Sequence, residues 1–154
     1  MSKKHDWNSL QNYLEVHYKV LRIYSSHLSI KKDYVYTKVT ENFHTLEAIG
    51  LIFRSYKGTQ IRFDIRKDVE VDTKHTSGKP WARTYGYSYN ANIPGGKNLI
   101  RYDSPHDDAD STPIDHHKFH HKHDYTKDPP EIVRIPEDQW PHVNEFLLEV
   151  LSRF

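Results

Sequence analysis

The chain has 154 residues, of which 36% are apolar and 13% aromatic, enough for one core and too aromatic for a disordered chain. It has no cysteine, which excludes disulfides and thiolate metal sites, and no run near the ~20 apolar residues of a membrane-spanning helix. A net charge of +1 hides an asymmetry, because residues 1–97 carry 16 Lys/Arg against 9 Asp/Glu and residues 98–154 carry 6 against 12.

Residues 1–6 have charges with no apolar stretch behind them, so a soluble, cytoplasmic protein with no membrane partner is expected. Trp7, Leu10, Leu14, Tyr18 and Leu21 recur at close to the helical period, and Asp6 stands before them as an N-cap candidate. Asp33 to Val39 alternates and is rich in β-branched and aromatic residues, which predicts a strand. Leu46 to Phe53 predicts another, irregular at Ile49–Gly50, and Tyr56–Thr59 is a turn signal. Ile61, Phe63, Ile65, Val69 and Val71 share one face of a long strand, with Arg62, Asp64 and Arg66 opposite. Trp81, Tyr85, Tyr87 and Tyr89 repeat the alternation, Pro94–Gly96 turns the chain, and Leu99 to Asp103 closes the set. Short links between consecutive strands imply antiparallel pairing.

From Ser104 to Pro130 apolar periodicity is lost, which predicts loop, and a loop this long in a small domain tends to be functional. Ile132 to Ile135 is a short strand candidate. Val143, Phe146, Leu147, Val150 and Leu151 mark an amphipathic helix opening near Pro141. The predicted fold class is α+β, an antiparallel β-meander of about five strands with N- and C-terminal helices. One domain spans 1–154: a helical segment 1–30, the meander 33–103, a His/Asp-rich functional loop 104–130, and a strand and helix over 131–154.

Residues 101–128 hold six of the twelve histidines, seven aspartates and four Lys/Arg, which no packing requirement asks for. Imidazoles move protons at neutral pH and bind transition metals. The pairs His116/His120 and His117/His121 have the i, i+4 spacing of helical zinc ligands, but Pro113 and Pro129–Pro130 leave little room for a helix. No HExxH pattern occurs, His-rich runs also bind metal adventitiously, and metal-free chemistry fits the residue types better. RNA cleavage needs a base for the ribose 2′-hydroxyl, an acid for the leaving 5′-oxygen and a cation for the phosphorane. His106, at the end of the last meander strand, and His120, His121, Lys122 and His123 supply those groups, with Asp103 to orient one imidazole. The bland alternative is a solvated polar loop. Tyr85, Tyr87 and Tyr89 are either core or a base-stacking platform. Arg62, Arg66 and Arg83 either guide a phosphate backbone or simply face solvent.

The order Tyr85–Gly86–Tyr87–Ser88–Tyr89, then Arg101–Tyr102–Asp103–Ser104–Pro105–His106, then His120–His121–Lys122–His123 resembles the TumE family of toxin–antitoxin toxins. That family carries a Tyr-rich strand, an "RYDNxPH" strand end and an "HHKH" element. Here Ser104 stands where the family has Asn, and Asp107 follows His106 in place of a second His. His116–His117–Lys118 nearly duplicates the second motif upstream. The resemblance implies a toxin encoded beside an antitoxin of helix-turn-helix character. It carries over Arg101, Tyr102, Asp103, His106, His120, His121, Lys122 and His123 as site positions, and leaves out His116 and His117.

The expectation is therefore a toxin acting as a metal-independent endoribonuclease. Its catalytic groups are His106, His120, His121, Lys122 and His123, and its orienting or substrate-binding groups Arg101, Tyr102, Asp103, Tyr85 and Tyr87. No cofactor or metal is expected. RNA and an antitoxin are the partners, and self-association is left open. The rival readings are a non-catalytic protein binding RNA, a metal or a partner, and a metal-dependent phosphodiesterase.

Overall fold

The structure, a computed structural model, describes residues 5–24, 35–106 and 114–154. Residues 1–4, the helical segment beyond 24, Asp33 and Tyr34 of the predicted strand, and the loop over 107–113 lie outside the described residues.

Among the described residues eight strands form one antiparallel sheet: β1 (Asn8–Ser9), β2 (Val35–Lys38), β3 (Phe43–Arg54), β4 (Gln60–Asp72), β5 (Trp81–Asn92), β6 (Asn98–Asp103), β7 (His121–Asp124) and β8 (Glu131–Arg134). Strands β2 to β8 lie side by side in sequence order, and β1 pairs with the start of β5. The helices are α1 (Leu10–Tyr24) and α2 (Val143–Arg153). The fold is α+β overall, but the expected five-stranded meander is corrected to eight strands. Strands β2 to β6 were legible because they show alternation or apolar runs, and β8 overlaps the Ile132–Ile135 candidate. Strand β7 reads His-Lys-His-Asp, so neither face carries the apolar period that marks a strand.

Each element follows from local chemistry. Ser9, and not Asp6, caps α1, since the Ser9 Oγ accepts the Asn12 N–H at 3.2 Å, while Asp6 accepts only the Trp7 N–H. His142 precedes α2, and Glu145 reaches back to accept the His142 N–H at 3.0 Å, so Pro141 lies one residue outside the helix start. On β3, Ile49 and Gly50 together oppose Asp64. Gly50 has φ +74 and donates its N–H to the Asp64 carboxylate at 2.7 Å, a bulge that glycine adopts without a Cβ penalty.

A second bulge breaks the predicted Tyr stripe. Asp68 pairs with Gly86 and Val69 with Thr84, which leaves Tyr85 as an extra residue on β5. Tyr87 and Tyr89 are buried in the core, whereas Tyr85 is 51% exposed.

The core lies on one face of the sheet. Ile61, Phe63, Ile65, Val69 and Val71 are buried there with Leu21 of α1 and Phe146, Leu147, Val150 and Leu151 of α2. Among the described residues neither helix covers the other face. There Arg62 pairs with Asp64, Arg66 with Glu47 and Asp68, and Arg83 with Glu70.

Candidate active site

The β6–β7 ladder sets the site. Arg101 pairs with His123, Tyr102 with Lys122 and Asp103 with His121. Side chains alternate across a strand, so Arg101, Asp103, His121 and His123 project to the face away from the helices. Tyr102 and Lys122 project towards α2, where the Tyr102 hydroxyl donates to Glu149 at 2.7 Å and the Lys122 ammonium pairs with the same carboxylate.

On the outer face Arg101 grips Asp103 bidentately, Nε to Oδ2 at 2.7 Å and Nη2 to Oδ1 at 3.1 Å. Asp103 is 4% exposed and His121 1%. The His121 Nδ1 lies 2.8 Å from the Phe119 carbonyl oxygen. A carbonyl only accepts, so Nδ1 carries the hydrogen and the neutral ring keeps its lone pair on Nε2. That buried Nε2 has no hydrogen-bond partner among the described residues and stands 3.7 Å from the Asp103 Oδ2.

Four more imidazoles surround His121. The chain leaves β6 through Ser104, whose Oγ accepts the Tyr87 N–H at 2.9 Å, and reaches His106. The His106 N–H donates to the His117 carbonyl at 2.9 Å, which holds the single 3₁₀ turn Asp115–Lys118 over the end of the ladder. The ring centre of His121 lies 5.9 Å from His106, 5.7 Å from His117, 5.0 Å from His116 and 5.0 Å from His123. Burial first, then the neighbouring His121, lowers the His123 pKa to about 4 against the pull of Asp103.

The expected centre is thus divided. His106, His121 and His123 come together with Asp103 and Arg101, while His120 and Lys122 do not join them. His120 faces the helix side, its ring parallel to Trp140 at 5.7 Å and its Nδ1 3.0 Å from the Tyr87 hydroxyl. Burial lowers its pKa. Tyr87 and Tyr102 are buried on that same side, and burial raises both phenol pKa values. Sequence reasoning left out His116 and His117, which the 3₁₀ turn brings into the cluster. Their signals were the near-duplicate His-His-Lys and the i, i+4 pairing with His120 and His121. The i, i+4 helical pairings do not form, because the turn ends at Lys118.

A groove of about 310 Å³ on the outer face runs into this cluster, lined by Arg66, Tyr85, Ser88, Arg101 and His106 among others. Its cations are partly matched by carboxylates, so it is polar and weakly charged. Among the described residues two ligand sets lie within 4.8 Å atom to atom: His106, His117 and His121, or His116, His121 and His123.

The chain matches no protein-family model, no curated protein and no solved structure. The resemblance to TumE toxins therefore stands on the Tyr85–His123 motifs alone.

Proposed function

We propose that this protein cleaves RNA by metal-free acid–base chemistry. The observation that carries the reading is a buried His121 beside an Arg-clamped Asp103, ringed by solvent-reaching imidazoles at the end of an arginine-bearing groove. A packed core has no use for that arrangement. RNA in the groove brings a phosphate to Arg101, between His106 and His123. His123 takes the proton from the ribose 2′-hydroxyl, the 2′-oxygen forms a bond to phosphorus, and the bond to the 5′-oxygen breaks as His106 protonates it. Arg101 stabilises the charge of the phosphorane. His121 is too buried to touch substrate and acts as a positioning residue. The Lys122 ammonium, paired with Glu149 on the far face, has no part in this step.

The resemblance adds a biological setting: a cytoplasmic toxin neutralised by an antitoxin of helix-turn-helix type. Growth arrest on induction, relieved by the product of an adjacent gene, is the expected genetic result.

The chemical test uses RNA oligonucleotides in excess EDTA, with products weighed by mass spectrometry. A 2′,3′-cyclic phosphate and a 5′-hydroxyl are expected, and a single 2′-deoxy substitution at the cut site should abolish cleavage there. DNA cut at a comparable rate would discard the reading.

A further inference from the structure

We infer that His106, His117 and His121 bind one zinc-type divalent ion, which shuts off the proposed nuclease. The inhibition rests on that functional reading; the binding does not. Three observations lead to it.

His121 is prepared as a ligand. Its Nδ1–H is held by the Phe119 carbonyl at 2.8 Å, the outer-shell bond that fixes ring orientation in metal-bound histidines. Its Nε2 is buried with no hydrogen-bond partner among the described residues.

The other two ligands can close on it. The ligand nitrogens of the three residues lie within 4.8 Å of one another, whereas tetrahedral zinc with ~2.0–2.1 Å bonds needs them about 3.3 Å apart. The difference is small. His106 is exposed and His117 half-buried, and the His106 N–H to His117 carbonyl bond ties their backbones together.

Charge selects the metal. Arg101 neutralises the buried Asp103 carboxylate bidentately, so the site offers imidazole donors and little net negative charge. That suits zinc, nickel or copper and rejects calcium and magnesium, which require oxygen ligands and charge. His121 has one lone pair to give, so the overlapping set with His116 and His123 cannot fill at the same time. An ion here takes the lone pair of His106, the proposed acid, and blocks the end of the groove.

The test titrates Co²⁺ and Zn²⁺ into the full chain without RNA, following calorimetry and the visible Co²⁺ spectrum. One ion per chain with a tetrahedral cobalt spectrum is expected, weakened roughly tenfold or more by His121→Asn and by the exposed His106→Gln, and unchanged by His75→Gln. Binding that survives both substitutions is that of an adventitious His-rich run and overturns the inference, as does weakening by His116→Gln or His123→Gln in place of His106→Gln. Magnesium bound as tightly as zinc overturns it too. In the cleavage assay zinc should inhibit and EDTA restore. If cobalt binds as described but no condition cleaves RNA, the nuclease reading fails and the metal site stands. Activation by zinc would replace inhibition with a metal-dependent phosphodiesterase.

Discussion

The Asp103 carboxylate and the His121 imidazole face each other across the β6–β7 ladder, Oδ2 to Nε2 at 3.7 Å, as directly paired residues. A side-by-side pair on adjacent strands is fixed by backbone hydrogen bonding and needs no loop to hold it. Arg101 on the same strand face completes a three-group unit, so a change at any of the three should be felt by the others.

Asp103→Asn keeps the shape and removes the charge that Arg101 grips. Charge-assisted hydrogen bonds contribute ~1.5–3 kcal/mol, and the partly exposed guanidinium reduces that figure, so a loss of about 1–2 kcal/mol is expected. Urea unfolding at pH 7 measures it. RNA cleavage should fall as well, because Arg101 no longer has a fixed direction.

Acid sensitivity should come from the core. Burial pushes the His17 pKa well below 6.5, with the Lys67 charge adding to it. Its folded value lies below the unfolded one, so the unfolded chain takes the proton first as pH falls. Stability from this group is therefore complete above about pH 6.5 and lost below it. Lys67, lowered to about 8 from 10.5 by burial, acts likewise in a higher window: stability falls as pH drops from about 10.5 to about 8, and no further. Thermal melts from pH 5 to 10 should rise with pH through both windows. His17→Leu should lessen the rise through the lower one, to which His120 and His123 also contribute, and Lys67→Met should flatten the upper. A melting temperature that fell between pH 5 and 7 would refute the assignment.

How much of this was legible in the sequence depended on whether burial was apolar. Strand β4 showed its inner face as Ile61, Phe63 and Ile65, and the irregularity at Ile49–Gly50 is a real bulge. The convergence of His106 with His121 was legible through motif order. Strand β7 was not, because Lys122 meets a carboxylate and His121 meets other imidazoles. An HHKH run read as one element became two faces once its backbone proved extended. Tyr85 was grouped on one face with Tyr87 and Tyr89 for a related reason: one bulge residue reverses the alternation, and residue type carries no trace of it.

Binding of RNA should depend on the outer-face arginines and on salt. Arg66 lines the groove but already meets Glu47 at 3.4 Å and Asp68 at 3.2 Å. Arg66→Gln should therefore weaken binding uniformly across sequences and reduce the salt slope by at most about one phosphate contact. Fluorescence anisotropy over a salt series measures both, and an unchanged slope would remove Arg66 from the RNA path.

The two faces of β7 give the sharpest contrast. His123→Ala and His106→Ala should each lower turnover by about a hundredfold or more, the usual contribution of a positioned proton-transfer group, with the fold intact because neither ring is in the core. Lys122→Met removes the partner of Glu149 and leaves that carboxylate to the Tyr102 hydroxyl alone. It should cost stability and leave turnover per folded molecule within a few-fold of the parent. His120→Gln should behave in the same way, losing its contact with Tyr87 and Trp140. Single-turnover rates corrected for the folded fraction separate these outcomes. Equal losses at Lys122 and His123 would mean that both faces of the strand serve the chemistry, which a single active centre on the outer face cannot explain.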